Sequence, residues 1–455
     1  MKKLMCLNSI FFLSAFSLLS VFEGRALAID LEGSLRAGIE SSLELSSARQ
    51  NWIATRETIA TSTSTSDLSI SFTSTGSASD TDSGSGFKSS ETYSNSITLS
   101  KNLYDGGQTR ENIRLAQINL ESAAASYLSV EQGVILATAE AHLKVIKARK
   151  EVKLHLANLE RLKVHFRATK IRVEEGADTN TSLGEAQARL ARSEADTILA
   201  KAKLSNANDV FQSLTNIDAI LIKNSLQFSK IRQNFPNDLL DVEDLAKRNH
   251  PSVLTAIANE KAAAQGFKTL EAKLNPTLAL SLSATDAKTK EELKGSLTFT
   301  SQLFTNSSSR ASARRTSALH SQSKHDLREA KRSAGIEAKT AYRNWKTNNI
   351  TLAAVRSELD ASRLVAKGVT SEAEFGQKTI LDVLDAEKDV RDVELRLVST
   401  EHEQILSQFS LHAATGNLTI KSLGLNNALE ELTSEPRPQN PLSSLIPFDS
   451  KKLKF

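Results

Sequence analysis

Apolar positions along this chain follow two rhythms. In four stretches they fall on every second residue: Leu68, Ile70 and Phe72; Tyr93, Ile97, Leu99 and Leu103; Leu278, Leu280 and Leu282; Leu293, Leu297, Phe299 and Leu303. Serine, threonine and other small polar residues fill most of the positions between. A period of two predicts strands with one apolar and one wet face. Elsewhere the period is seven. Val145, Val152, Leu159, Phe166 and Val173 are followed, after Gly176-Ala177-Asp178, by Leu183, Ala186, Leu190, Ala200, Leu204, Ala207, Phe211 and Leu214. Val383, Ala386, Val390, Val393, Leu397, Leu411 and Ala414 repeat the theme. Sustained heptads predict coiled-coil packing, and the glycine-containing break predicts an antiparallel helical hairpin. All seven prolines lie at or beyond Pro236, and 109–175 and 310–375 contain none. Proline would break a helix interior, so each stretch can be one helix of roughly 65 residues, about 100 Å long. An interruption at Gly133 or Gly335 is the alternative.

The chain matches itself. At an offset of 200, Ile97-Thr98-Leu99-Ser100 aligns with Leu297-Thr298-Phe299-Thr300, Arg110 with Arg310, Val145 with Trp345 and Gly176 with Gly376. Upstream the offset is 210: Leu35 pairs with Leu245, and Leu68-Ser69-Ile70-Ser71-Phe72 with Leu278-Ala279-Leu280-Ser281-Leu282. The ten extra residues fall in the Ser/Gly/Asp-rich run Thr73–Ser90, whose composition predicts a loop. A period this long marks a duplicated half-domain. Each half is expected to hold a helix of about 30 residues (near Leu31–Thr61 and Leu240–Lys273), a β-hairpin (66–105 and 277–305) and a helical hairpin (109–216 and 310–416). The halves span 29–220 and 221–420. Residues 421–455 hold four of the prolines and read as an aperiodic tail, the composition of a disordered segment.

The N-terminus reads as a secretory signal over 1–28: Lys2 and Lys3, an apolar run from Ile10 to Val21, and Ala26-Leu27-Ala28 before a mature start at Ile29. The apolar run is shorter than the roughly 20 residues a membrane span needs. Cys6, the only cysteine, falls inside it, so an exported chain carries no thiol, disulfide or cysteine metal site. Beyond it no stretch approaches a transmembrane helix, and any membrane crossing must use strands. With 57 basic and 53 acidic residues interspersed, the charge pattern does not suggest a nucleic-acid partner.

Four strands of this length suit a tilted barrel wall, with Ser, Thr and Asn facing a water-filled lumen and Tyr104 and Phe304 at the membrane interface. A small soluble sheet is the plainer reading. Bacterial membrane barrels need at least eight strands, because an open edge in lipid leaves backbone groups unpaired. One chain supplies four, so closure requires two or three copies.

Beyond the duplication itself, Leu103-Tyr104-Asp105-Gly106-Gly107, leading from strand to helix, and Phe375-Gly376-Gln377-Lys378-Thr379-Ile380-Leu381-Asp382-Val383-Leu384-Asp385-Ala386, at the second helical break, are distinctive. On these the chain resembles the TolC-like outer-membrane efflux and secretion family over about Leu31 to Leu418. The resemblance implies a mostly helical α+β fold: a homotrimer with one twelve-stranded outer-membrane β-barrel and a helical tunnel across the periplasm. It also implies a periplasmic adaptor, an inner-membrane ABC or proton-driven pump, and passive export of small molecules or unfolded proteins. No cofactor or metal is implied.

Asp382 and Asp385, three apart, share a helix face. Through the resemblance they are candidates for a carboxylate ring at a narrow periplasmic entrance, where mutual repulsion would raise some of their pKa values. The plainer reading is that acids in a first helical turn stabilise its positive dipole end. Lys378, facing Thr181 and Ser182, is the candidate gate latch by motif position, or an ordinary solvated helix-end residue. The family's tyrosine and acidic partner positions are Ala373 and Ser182 here, which weakens a latch of that kind. The turns at Gly176 and Gly376 are candidate adaptor-docking tips. An enzyme is not expected: the eight histidines form no metalloprotease pair, and no nucleophile elbow or phosphate loop occurs. A barrel-anchored trimeric adhesin, or a periplasmic coiled-coil scaffold, is the competing class. An adhesin stalk needs a parallel coiled coil rather than two antiparallel hairpins.

Overall fold

The structure is a computed structural model and describes residues 29–64, 66–82, 87–223, 238–287, 290–304 and 307–425. The predicted signal segment 1–28 and residues 426–455 of the tail lie outside the described residues. The elements run α1 (Leu31–Ser41), α2 (Leu43–Ser64), β1 (Ser69–Asp82), β2 (Phe87–Tyr104), α3 (Gln108–Glu174) and α4 (Asn180–Thr215). The second half follows in the same order: α5 (Leu239–Asn249), α6 (Pro251–Ala272), β3 (Thr277–Ala287), β4 (Lys290–Thr300), α7 (Ser307–Glu374) and α8 (Ile380–Ala414). A short 3-10 turn, Ala219–Leu221, ends the first half.

Helices α3 and α7 are 67 and 68 residues long, unbroken at Gly133 and Gly335. By contrast, the expected 30-residue helices are each two pieces. Pro251 has no N–H to continue α5, and instead opens α6 at its first position, with the His250 side chain accepting from the Ser252 amide. In the first half the break falls at Ser42, whose backbone is extended and whose hydroxyl caps the Leu45 amide.

The four strands form one antiparallel sheet in the order β1-β2-β3-β4. Its register puts Phe72, Ile97, Ala284 and Leu293 in one row and Ile70, Leu99 and Leu282 in another. The opposite face carries Ser69, Ser100, Ser281 and Ser296. The Ser/Gly/Asp-rich run, expected to be a loop, is strand: Thr73–Asp82 extend β1, and Phe87–Ser90 open β2. Hydroxyl and amide pairs across the ladder, Ser74 with Asn95 and Ser77 with Thr92, supply cross-strand contacts where apolar alternation lapses. Tyr104 ends β2, but Phe304 lies beyond β4, which ends at Thr300.

From β2 the chain enters α3 through Asp105-Gly106-Gly107. Both glycines have positive φ, 70° and 84°, which L side chains resist. The Asp105 carboxylate accepts from the Gly107 and Thr109 amides. The main core lies where α1, α2, α3, α8 and the segment Leu418–Leu425 meet. Leu423 and Leu425 are buried there, so the expected tail boundary at 421 is five residues early. Smaller clusters join α5, α7 and α8, then α3, α4 and the 3-10 turn, then α7 and α8.

Candidate functional site at the hairpin tips

The two helical hairpins turn with the same backbone geometry, built on a shared glycine and threonine. Gly176 and Gly376 adopt φ of 77° and 75°. Their amides donate to Val173 and Ala373, and the amides of Ala177 and Gln377 reach back to Arg172 and Glu372. This is the paired-bond stop that lets glycine end a helix by left-handed backbone. Three residues later Thr179 and Thr379 begin α4 and α8 as N-caps. The sequence-predicted tips are thus repeat-related in geometry, with Phe375 projecting at 82% exposure.

Asp382 sits at the third position of α8 and closes a capping box: its carboxylate accepts from the Thr379 amide and hydroxyl, both at 2.8 Å. Those bonds, the amide's above all, hold its pKa below the usual aspartate range. In the first repeat Ser182 occupies the matching place, within 3.0 Å of the Thr179 hydroxyl. Asp385, one turn further, meets Arg189 of α4 at 2.8 Å, and Arg189 also holds Glu185 at 2.9 Å. Asp385 therefore bridges the two repeats, whereas Asp382 is spent on its own helix end.

Above this pair Arg161 approaches Glu387 at 3.7 Å and Lys150 meets Glu401 at 2.7 Å. All three contacts join a base of α3 or α4 to an acid of α8. Beside them is a cleft of about 300 Å³ lined by His165, Arg172, Asp178, Arg189, Ile380 and Leu384, among others. Burial, with Arg172 and Arg189 nearby, lowers the His165 pKa and favours neutral imidazole. Ser182 and Thr379 line the same cleft, but among the described residues no hydrogen bond links Lys378 to Thr181 or Ser182. Lys378 is exposed and acts on Asp382 only as a nearby positive charge.

Residue spacing alone does not single out Arg189 and Arg161. For Arg189 a signal lies in the repeat alignment: Arg172, Asp178, Arg189 and Arg192 stand opposite Glu372, Lys378, Asp389 and Asp392, whereas Arg161 stands opposite Ala361 and leaves no such trace. Charge reverses between the halves at the tips, as complementary surfaces require.

At the other end, Ile70, Phe72, Leu297 and Phe299 are 62–68% exposed, an apolar belt with a hydroxyl-lined reverse face. Among the described residues no helix is long and apolar enough to cross a membrane. The helical hairpins are antiparallel, against the stalk reading.

The family model described as outer membrane efflux protein matches residues 39–216 and 242–417, one block in each repeat. Outer membrane efflux protein BepC of Brucella suis biovar 1 (strain 1330) is 26% identical over 341 residues, covering 73% of this chain and 74% of that protein. Outer membrane protein TolC of Vibrio cholerae serotype O1 (strain ATCC 39315 / El Tor Inaba N16961) is 22% identical over 346 residues, covering 73% of this chain and 78% of its own length. The CmeC outer membrane channel of Campylobacter jejuni superposes with a TM-score of 0.73 at 13% identity, over 88% of this chain and 89% of that one. With both repeats matched, the chain belongs to the outer membrane efflux protein family.

Proposed function

We propose that three copies of this chain close a twelve-stranded barrel in the outer membrane and continue as a helical tunnel to the periplasmic tips. Cargo passes through it from an inner-membrane pump joined by a periplasmic adaptor. The observation that carries this is the sheet: four strands in the order β1-β2-β3-β4, with β1 and β4 at its edges and an apolar belt of Ile70, Phe72, Leu297 and Phe299 exposed on one face. In lipid each unpaired backbone group costs several kcal/mol, so β4 of one copy must pair with β1 of the next. The conduit does no chemistry; the pump supplies the energy.

The tips are the gate and docking end. Asp385, with Asp382 a turn away, lines the entrance and favours cations, and the bonds Arg189–Asp385 and Arg161–Glu387 hold α8 against the first hairpin. Arg189 thus takes the latch role expected of Lys378, Thr181 and Ser182. The turns at Gly176 and Gly376, with exposed Phe375, are the adaptor contacts. Planar-bilayer recording tests this reading. The wild type should conduct with a preference for cations, and Asp382→Ala with Asp385→Ala should abolish that preference. Absence of conductance would refute the conduit, and an unchanged preference would refute the ring.

A further inference from the structure

Because the halves are duplicates, α3 is a template for the surroundings of α7. One side of α3 meets α2, where Trp52 stacks on Tyr127 at 5.5 Å. The opposite side meets α6, where Gln265 and Lys261 bond Glu111 and Glu121 at 2.7 and 2.8 Å. A third face, carrying Ile135 and Ala139, is covered by α1 and the Leu418–Leu425 segment. On α7 the α2–α3 contact recurs with α6 in the place of α2, His320 lying 2.9 Å from Glu260. The side matching the α3–α6 contact is open, and in the trimer it meets the next copy. The third face is covered by α5 only low down, where Lys339 bonds Glu243. The direction of that face rests on the conduit reading: α1, α5 and the Leu418–Leu425 segment would block an open tunnel from inside, so the face points outward.

Above α5 the outward face is basic. At 3.6 residues per turn, Arg310, Arg314, Lys324, Arg328, Lys331 and Arg332 fall on one side of α7 together with Lys339. Arg315 lies round toward the next copy and is not part of the row. The top two arginines stand within the first turns of the helix, Arg314 about 10 Å below its start, next to Leu303 and Phe304, which are 83% and 87% exposed. The first repeat has the same pair, but neutralised: buried Glu111 binds both Arg110 and Arg114 at 3.0 Å. Ala311 replaces that acid in the second repeat, and α7 has no carboxylate before Asp326. Among the described residues no acid pairs with Arg310 or Arg314.

We propose that Arg310 and Arg314 of the three copies form a collar that binds the phosphates of anionic phospholipid in the periplasmic leaflet of the outer membrane. The planar guanidinium fork suits phosphate oxygens, and bases beside a membrane surface are attracted to anionic lipid. Leu303 and Phe304, directly above, give the acyl chains an apolar seat that neither free phosphate nor a soluble polymer would use. Lys324 and Arg328 sit too far down the helix to reach a headgroup.

The test is native mass spectrometry of the full-length trimer in mild detergent, titrated with phosphatidylglycerol and, separately, phosphatidylcholine. The wild type should retain phosphatidylglycerol preferentially. R310Q/R314Q should retain it roughly 25-fold less tightly, about fivefold for each charge removed. R310K/R314K should keep part of the preference, and K324Q/R328Q all of it. Equal retention of the two lipids by the wild type would overturn the collar, as would an equal loss in K324Q/R328Q. So would retention of anionic peptidoglycan fragments, offered in parallel, that depends on Lys324 and Arg328 while lipid retention is indifferent to Arg310 and Arg314. Trimer mass and bilayer conductance on the same samples separate the two ideas. An intact conducting trimer without lipid preference overturns the collar alone, whereas absence of a trimer overturns the conduit reading on which it stands.

Discussion

The waist and the tips of this molecule are held by opposite means. At the waist Leu35, Ile39, Ile135, Phe409, Leu418, Ile420 and Leu425 have 0–1% of their surface exposed, and five segments from three distant regions of the sequence share one core. At the tips the repeats meet through side chains that stay wet: Arg189 and Asp385 are 27% and 57% exposed. Apolar burial of the first kind is stabilising by about 1.5–3 kcal/mol for each large side chain, whereas an exposed ion pair is worth about 0–1 kcal/mol. The chain therefore has a firmly packed waist and tips that can yield more readily, as the proposed gate requires.

The sharpest way to break the comparison is to empty the waist. Phe409→Ala should lower the stability of the folded chain by about 3–5 kcal/mol, read from denaturant or thermal unfolding. Leu381→Ala at the tip should change it by less than about 1 kcal/mol. Equal losses would mean that the two regions are not held differently.

Next is a carboxyl group inside the waist. Glu131 is 4% exposed and accepts from the Ile420 amide at 2.6 Å, yet burial raises its pKa from 4.5 to about 7. The folded state therefore holds a proton that the unfolded chain releases. The stability from this group is complete below about pH 4.5 and is lost as pH rises through about 7. His142 and His402, lowered by burial to about 4, run the other way and lose stability as pH falls. Comparing Glu131→Gln with wild type cancels the histidines. The variant should gain roughly 3 kcal/mol relative to wild type between about pH 4.5 and 8, and a pH-independent difference would show that the carboxyl is not protonated there.

Gly38 marks close packing at the same level. A Cβ there would crowd the Thr138 hydroxyl and methyl, so Gly38→Ala should cost about 1–3 kcal/mol. Thr138→Ser, which removes only one of the crowding atoms, should recover part of that in a double-mutant cycle. The smallest effect on stability belongs to the tip. Arg189→Gln should leave the unfolding midpoint nearly unchanged, within about 1 kcal/mol, while raising resting conductance. Adding Asp385→Asn should raise it little further, since the bond is already gone. A rise in conductance from Lys378→Gln instead would return the latch to the residue favoured by motif position.

Much of this architecture is legible in the order of residues alone. Duplication, heptads and period-two strands reflect burial on one face of a regular element, which residue spacing records directly. What is not legible lies where that record fails. Ser77, Ala78 and Ser79 are small on both faces, so β1 beyond Phe72 shows no alternation although its ladder continues to Asp82. The division of the first helix at Ser42 follows from a cap that Ser42 alone does not announce, whereas Pro251 does announce the second. Leu423 and Leu425 have no periodicity because they plug a core made by distant elements. At the tips spacing puts Asp382 and Asp385 on one helix face and the motif resemblance singles them out, but Arg189, 196 residues from Asp385 along the chain, becomes a partner only once the two hairpins lie side by side. Charge reversal between the repeats is the trace it leaves.

The central claim is that one chain forms one third of a closed wall. Its most direct measurement is the mass of the purified protein in mild detergent, after oxidation of cysteines introduced singly along β1 and β4. The account predicts three chains per particle, with disulfides forming between a β1 cysteine of one copy and a β4 cysteine of another. A single, stably folded chain whose edge cysteines stay unlinked would contradict it.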